Sequence, residues 1–234
     1  MKKLILFVEG EGDRLAVPTL VKRLIKQPWQ PEFQLDPAPF RIGSVELFRG
    51  PHQQQKQQKW TNWLNAAMKR PGAAGILQIL DGDARNFCAR REANRLAELA
   101  ATVGAGSIFS FSCVFACCEY ESWLLAGIES LAGKPLPDGQ AGVRQGVAAL
   151  TGDLETAPRN AKGKLAQLME GGYKPATHQD LLTRMVDLDT IRSKNLRSFR
   201  RLENATSEIV AAILSGNHIA TPISPRSETD QRRS

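Results

Sequence analysis

The sequence predicts an α/β protein, a mostly parallel Rossmann-like sheet flanked by helices, followed by a mainly helical C-terminal half. Three observations carry this expectation. Apolar runs recur at Leu4–Val8, Gly75–Leu80 and Ile108–Ala116, and they are continuous rather than alternating, as strands covered on both faces require. Amphipathic patterns lie between them, which implies crossover connections and parallel pairing. After Gly127 no further long apolar strand follows, only helix-length patterns and loops.

Taken in order, the first run ends in Glu9-Gly10-Glu11-Gly12-Asp13. Pro18 fits the first turn of the next helix, where its missing N–H costs nothing. Leu20, Val21, Leu24 and Ile25 then form that helix's apolar face. A proline-rich passage from Pro28 to Pro39 leads to a short strand expected around Arg41–Phe48. The glutamines of 53–58 continue into Trp60, Trp63, Leu64, Ala67 and Met68 at helical spacing, so they read as the solvated half of an amphipathic helix. The second run ends in Asp81-Gly82-Asp83, and Ala89, Ala93, Leu96, Ala97 and Ala100 mark the next helix. The third run leads into Glu119-Tyr120-Glu121. Further helices are expected over Val143–Leu150, Lys162–Met169, Asp180–Met185 and Leu202–Leu214. The expected organisation is a core over 1–127, a helical region over 128–214 and a disordered tail over 215–234, poor in apolar residues.

Composition narrows the function. Hydrophobic residues at 42% and charged residues at 24% exclude a disordered or fibrous chain. A net charge of +7 favours a polyanionic partner. The four cysteines contain no CxxC pair and lie far from the three histidines, which argues against a zinc cage. The apolar run after Met1-Lys2-Lys3 stops at Glu9, too short for a signal peptide, and the charge-free stretch Leu99–Cys118 is broken by Gly, Ser and Thr. A cytoplasmic protein that does not span a membrane is expected.

In a parallel sheet, ligands bind beyond the carboxyl ends of the strands. Glu9 and Asp13 follow the first strand, Asp81 and Asp83 a later one, and Glu119 and Glu121 the next. Carboxylates gathered in one crevice repel unless a cation joins them, and Mg²⁺ takes hard oxygen ligands while leaving positions for water and phosphate. Glycine at 82 would let the backbone bend between the two aspartates. Three of the six acids have an equally good local reading: Asp13 as a helix cap, and Glu119 and Glu121 as first-turn acids favoured by the helix dipole. An Asp-x-Asp after a strand also occurs in haloacid-dehalogenase phosphatases, though there it follows the first strand and precedes Thr or Val, whereas Ala84 follows here. The glycosyltransferase Asp-x-Asp is compatible in chemistry alone.

Val8-Glu9-Gly10 with Asp13 and Pro18, together with Ile79-Leu80-Asp81-Gly82-Asp83, resembles the TOPRIM fold of topoisomerases, DnaG-type primases, OLD-family nucleases and small maturase ribonucleases. Glu119-x-Glu121-Ser122-Trp123-Leu124, Tyr173-Lys174-Pro175, Gln179-Asp180, Asp187-Leu188, Arg192 and Ser198-Phe199 are similar to a bacterial TOPRIM-like family of unknown function, over about residues 1 to 214. The resemblance implies a metal-dependent nuclease-type phosphoryl-transfer centre using Mg²⁺ or Mn²⁺. Glu9 would act as general acid or base, Asp81 and Asp83 would hold metal, and Asp13 and Glu121 would be further ligands. It also implies an ATPase partner in phage defence. The alternative is a catalytically weak TOPRIM module that binds nucleic acid or regulates an ATPase. Glu11 is a surplus acid beside the key pair, and no tyrosine stands where a topoisomerase nucleophile would. Arg85, Arg91 and Arg95 beyond the Asp-x-Asp, and Arg192, Lys194, Arg197 and Arg201 in the helical half, are the candidates for contacting DNA or RNA phosphates. A homodimer stays open.

Overall fold

The structure, a computed structural model, describes residues 1–25, 32–44, 52–84, 86–157 and 159–222. The strands are β1 (Lys2–Val8), β2 (Phe33–Leu35), β3 (Phe40–Arg41), β4 (Ala73–Asp81), β5 (Ser110–Ala116) and β6 (Ala220–Thr221). They form one sheet in the order β2-β1-β4-β5-β6, with β3 also pairing β1, and every pairing is parallel. The helices are α1 (Glu11–Leu24), α2 (Gln53–Met68), α3 (Ala89–Ala101), α4 (Glu121–Ala126), α5 (Ala161–Leu168), α6 (Pro175–Met185), α7 (Leu188–Ser193) and α8 (Arg197–Ser215). This is a Rossmann-like α/β arrangement, as expected.

Strand alternation divides the core into two layers. Leu4, Leu6 and Val8 of β1, Leu77 and Ile79 of β4 and Val114 of β5 pack with α1, α8 and the helical half. Ile5, Phe7, Ile76, Leu80, Phe111 and Phe115 pack with α2 and α3 on the opposite face. Because both faces are covered, the three long strands are mostly apolar, the buried Gln78 accepting the Trp60 indole N–H at 2.8 Å, and this is why they could be read from the sequence.

Several expectations are corrected. Helix α1 begins at Glu11, so Pro18 lies inside it. Gly10 donates its N–H to Asp13 Oδ2 at 2.8 Å, which starts the helix directly at the end of β1. Burial of Ala16, Val17, Leu20 and Val21 outweighs the backbone bond that Pro18 forfeits. Val143–Leu150 is not helical: Val143 bridges Met169, and Gly146 takes a positive φ of 74° that ends any helix. The proline-rich passage contains the edge strand β2. Of the strand expected over Arg41–Phe48, only Arg41 is in β3, and residues 45–48 lie outside the described residues.

The boundary expected at 127/128 does not separate two cores. Leu165, Leu182, Leu202 and Ile209 of the helical half belong to the same cluster as Leu4 and Leu6 of β1. Part of the tail expected from 215 is ordered instead, because Ala220–Thr221 pairs with Phe111–Ser112 of β5; residues 223–234 lie outside the described residues. No helix among the described residues is long and apolar enough to cross a membrane.

Candidate metal centre

The connection after β1 runs through α1 on one face to β2, whereas β4 is reached on the other side of β1 through α2 on the opposite face. Adjacent strands whose connections diverge leave a crevice at their carboxyl ends. The register aligns Val8 with Ile79, so Glu9 emerges level with the last residues of β4. Glu9 Oε2 accepts the Asp81 N–H at 3.1 Å, tying the two strand ends together.

Around this link the other acids gather. Asp81 Oδ1 accepts the Tyr120 N–H at 2.8 Å, which brings in the turn after β5. Glu121 opens α4 and is 1% exposed, so it is both a first-turn acid and a member of the cluster. Burial first, and then Asp13, Glu9 and Glu121, drive the Asp81 carboxyl well above the usual carboxylate range, against the opposing Tyr120 N–H. Glu9 is pushed up to about 7, mainly by burial and then by Asp13 and Asp83, although its bond from Asp81 works the other way. Burial likewise raises Glu121 to about 7, with Lys162 opposing.

Asp13 takes the capping role. Its Oδ2 accepts from Gly10 and its Oδ1 from Gln179 Nε2 at 2.6 Å, so both oxygens have protein donors while its charge still bears on Glu9 and Asp81. Asp83 is exposed at the mouth, and its carbonyl accepts from Arg159 at 3.2 Å. Gly82 is required for a reason other than a tight bend. Its φ is not positive, but a Cβ there would lie 2.9 Å from the Ala116 carbonyl oxygen. Its N–H is shared between the carbonyls of Ala116 and Cys118, each at 2.8 Å.

Among the described residues the cation within the cluster is Lys162, in the first turn of α5. Its N–H donates to Glu119 Oε2 at 2.9 Å, and its Nζ lies 3.9 Å from Glu121 Oε1. Burial alone would lower its pKa, yet Glu121, Asp81, Glu119 and Asp13 together hold it above the ordinary lysine value. The helix expected over Lys162–Met169 already placed Lys162 at a helix start, and Asn160 Oδ1 caps that helix by accepting the Gly163 N–H at 2.7 Å. The motif residues of the helical half act mainly as struts. Gln179 holds Asp13, Asp180 accepts from Thr19 of α1, and Ser198 Oγ accepts the Trp123 indole N–H.

The expected phosphate-binding residues do not form one strip. Arg91 and Arg95 both lie against Glu92, Arg192 pairs with Asp189 and Glu203, and Lys194 pairs with Glu129. Arg197 pairs with Glu155 and Arg201 with Glu208. Arg85 lies outside the described residues.

Among the described residues no three His, Cys, Asp or Glu side chains already stand in metal-holding geometry. Mg²⁺ needs fewer: one or two carboxylates suffice, with water and phosphate completing its octahedron. The donor set is all hard oxygen, and the acids raise one another's proton affinity with one lysine to offset them, so the crevice fits a divalent cation in chemistry. Protons and metal should therefore compete. Because the folded chain holds protons on Glu9 and Glu121 between about pH 4.5 and 7 that the unfolded chain has lost, these groups make stability fall as pH rises through that window. A cation should oppose the loss. We expect Mg²⁺ to leave the melting temperature unchanged near pH 5 and to raise it above pH 7, read by scanning calorimetry; equal Mg²⁺ effects at both pH values would contradict the site.

Fold and crevice define the class: a Rossmann-like α/β protein with a carboxylate cluster at the switch point of its sheet. A model of the family described as Domain of unknown function (DUF4276) matches residues 8–205, and the chain belongs to that family. No curated protein and no solved structure matches it.

Proposed function

We propose that the chain is a metal-dependent enzyme of nuclease type, acting by phosphoryl transfer on nucleic acid through a TOPRIM-like centre of Glu9, Asp81 and Asp83. The observation that carries this reading is the Glu9–Asp81 link across the switch point, inside a cluster whose acids raise one another's proton affinity. Bound Mg²⁺ or Mn²⁺ would neutralise charge on nonbridging oxygens and lower the pKa of a water. Asp81 would hold it, with Asp83 at the mouth and Glu9 beside it as the proton-transferring group.

The chain's own groups supply the remainder. Among the described residues Glu9 Oε1 has no hydrogen-bond partner while Oε2 is engaged, and with its pKa near neutrality Glu9 can take or give a proton there. Lys162 offers positive charge that phosphate would share with Glu121. DNA or RNA as substrate, an ATPase partner in phage defence and a cytoplasmic setting belong to the same proposal, the partner resting on the TOPRIM likeness.

The test is incubation of the purified chain with labelled single-stranded and duplex DNA and RNA, with Mg²⁺, Mn²⁺ or EDTA. Products that require the metal support the proposal; metal-independent products from pure protein contradict it. The absence of a preassembled set of three metal-holding side chains among the described residues favours one second reading, a catalytically weak module. Salt-sensitive nucleic-acid binding without metal-dependent product would select it.

A further inference from the structure

A cavity of about 510 Å³ lies outside β5, between α3 and α8. It is distinct from the acidic crevice, and the chain passes from one to the other at the end of β5: Cys117 lines the cavity, and Glu119, two residues on, holds the start of α5. β6 pairs with only Phe111 and Ser112, so the rest of β5 has no outer neighbour strand among the described residues. The floor is apolar, with Ala93, Val114 and Phe115, while Arg90, Arg197 and Arg201 stand at the walls.

The charges of this cavity are unevenly balanced. Among the described residues its one carboxylate, Glu155, is already used: it accepts the Arg197 N–H at 2.9 Å and the Ser198 N–H at 2.5 Å, and Arg197 Nε at 3.3 Å. The neighbouring carboxylate Glu92 is taken by Arg91 and Arg95 rather than Arg90. Arg201 reaches Glu208, Ser112 and Thr221 through its terminal nitrogens, which leaves its buried Nε without a partner. Ser198 Oγ accepts from Trp123 and keeps its own O–H to donate.

We infer that this cavity binds a nucleoside phosphate unit, its phosphate held by Arg90 and Arg197 with Arg201 adding positive charge behind them, and its base laid on the apolar floor at the open edge of β5. Guanidinium groups match phosphate geometry through paired N–H donors. A bare phosphate would leave the floor unused, whereas the cavity falls within the ~300–1,000 Å³ of small-molecule sites. The unit is either a free nucleotide or an unpaired nucleotide of a strand. The inference stands independently of the metal centre.

The experiment titrates the full chain in EDTA with adenosine 5′-monophosphate, adenosine and inorganic phosphate by calorimetry, and with a short labelled oligothymidylate by anisotropy. The monophosphate should bind at least about ten-fold more tightly than adenosine or phosphate, and Arg90→Glu and Arg197→Glu should each weaken it by about ten-fold or more. Asp81→Asn should leave it unchanged, which separates this site from the crevice. Oligothymidylate displaced by the monophosphate assigns the unit to a strand; a bound monophosphate that does not displace it assigns the unit to a free nucleotide. Phosphate binding as tightly as the monophosphate, undiminished binding in both charge-reversed variants with native melting temperatures, or no binding of either nucleotide probe overturns the inference.

Discussion

Asp81→Asn should abolish metal-dependent cleavage and at the same time raise the melting temperature of the metal-free protein. The two effects share one cause. Asp81 is packed among Glu9, Asp13 and Glu121, and burial together with their charges disfavours its ionised form. An unpaired buried charge costs stability, so removing it should stabilise the apo chain. Asparagine keeps Oδ1 to accept the Tyr120 N–H, so the turn after β5 is preserved. Metal chemistry of this kind is worth several kcal/mol, so losing a ligand should cost ~10²–10⁴-fold in rate. Calorimetry at pH 8 in EDTA, beside a cleavage assay in Mg²⁺, reads both. A variant less stable than the parent in EDTA would mean that Asp81 is a structural acid balanced within the fold. A variant that still cleaves at the parental rate would place the chemistry elsewhere.

That the crevice was legible at all follows from where its acids stand. A strand buried on both faces must be apolar to its end, so the first acid after it marks the edge of the sheet. Glu9, Asp81 and Glu119 each announced such an edge, and parallel pairing gathered the edges on one side. The roles of the individual acids were less legible, because they depend on partners far away in sequence. Asp13 proved a cap because Gly10 and Gln179 both donate to it, and Gln179 lies on α6. Gly82 is glycine because of the Ala116 carbonyl on the next strand, which no local turn rule could reveal.

The same reasoning explains the arginines. Helical spacing told which of them share a face but could not tell which carboxylates face them. Glu203 and Glu129 turned Arg192 and Lys194 into struts, and Glu92 did so for Arg91 and Arg95. Arg90, on the same helix, borders both the cavity beside β5 and the shallower hollow along α3. Short edge strands escaped for a related reason: β2 and β6 have three and two residues, too few for any periodicity, and exist through their pairing.

Gly12→Ala should lower stability by about 1–3 kcal/mol, a fall in melting temperature of roughly 2–12 °C. In an exposed helix the same change would stabilise by up to about 1 kcal/mol, so the sign tests the packing. Gly12 is buried in the first turn of α1, and a Cβ there would lie 2.8 Å from Pro175 Cβ and 2.9 Å from the Pro175 carbonyl carbon, besides meeting Gln179 Oε1. Close contact of α1 with the start of α6 is therefore possible only without a side chain at position 12. Displacing α6 should also loosen Gln179 from Asp13 and Thr183 from Tyr120, the two bonds through which α6 braces the crevice. The loss should consequently appear both in the melting temperature and in a weaker Mg²⁺-induced rise at pH 8. A stabilised Gly12→Ala protein would show that the two helices stand further apart in solution, and that the helical half does not brace the acids it touches.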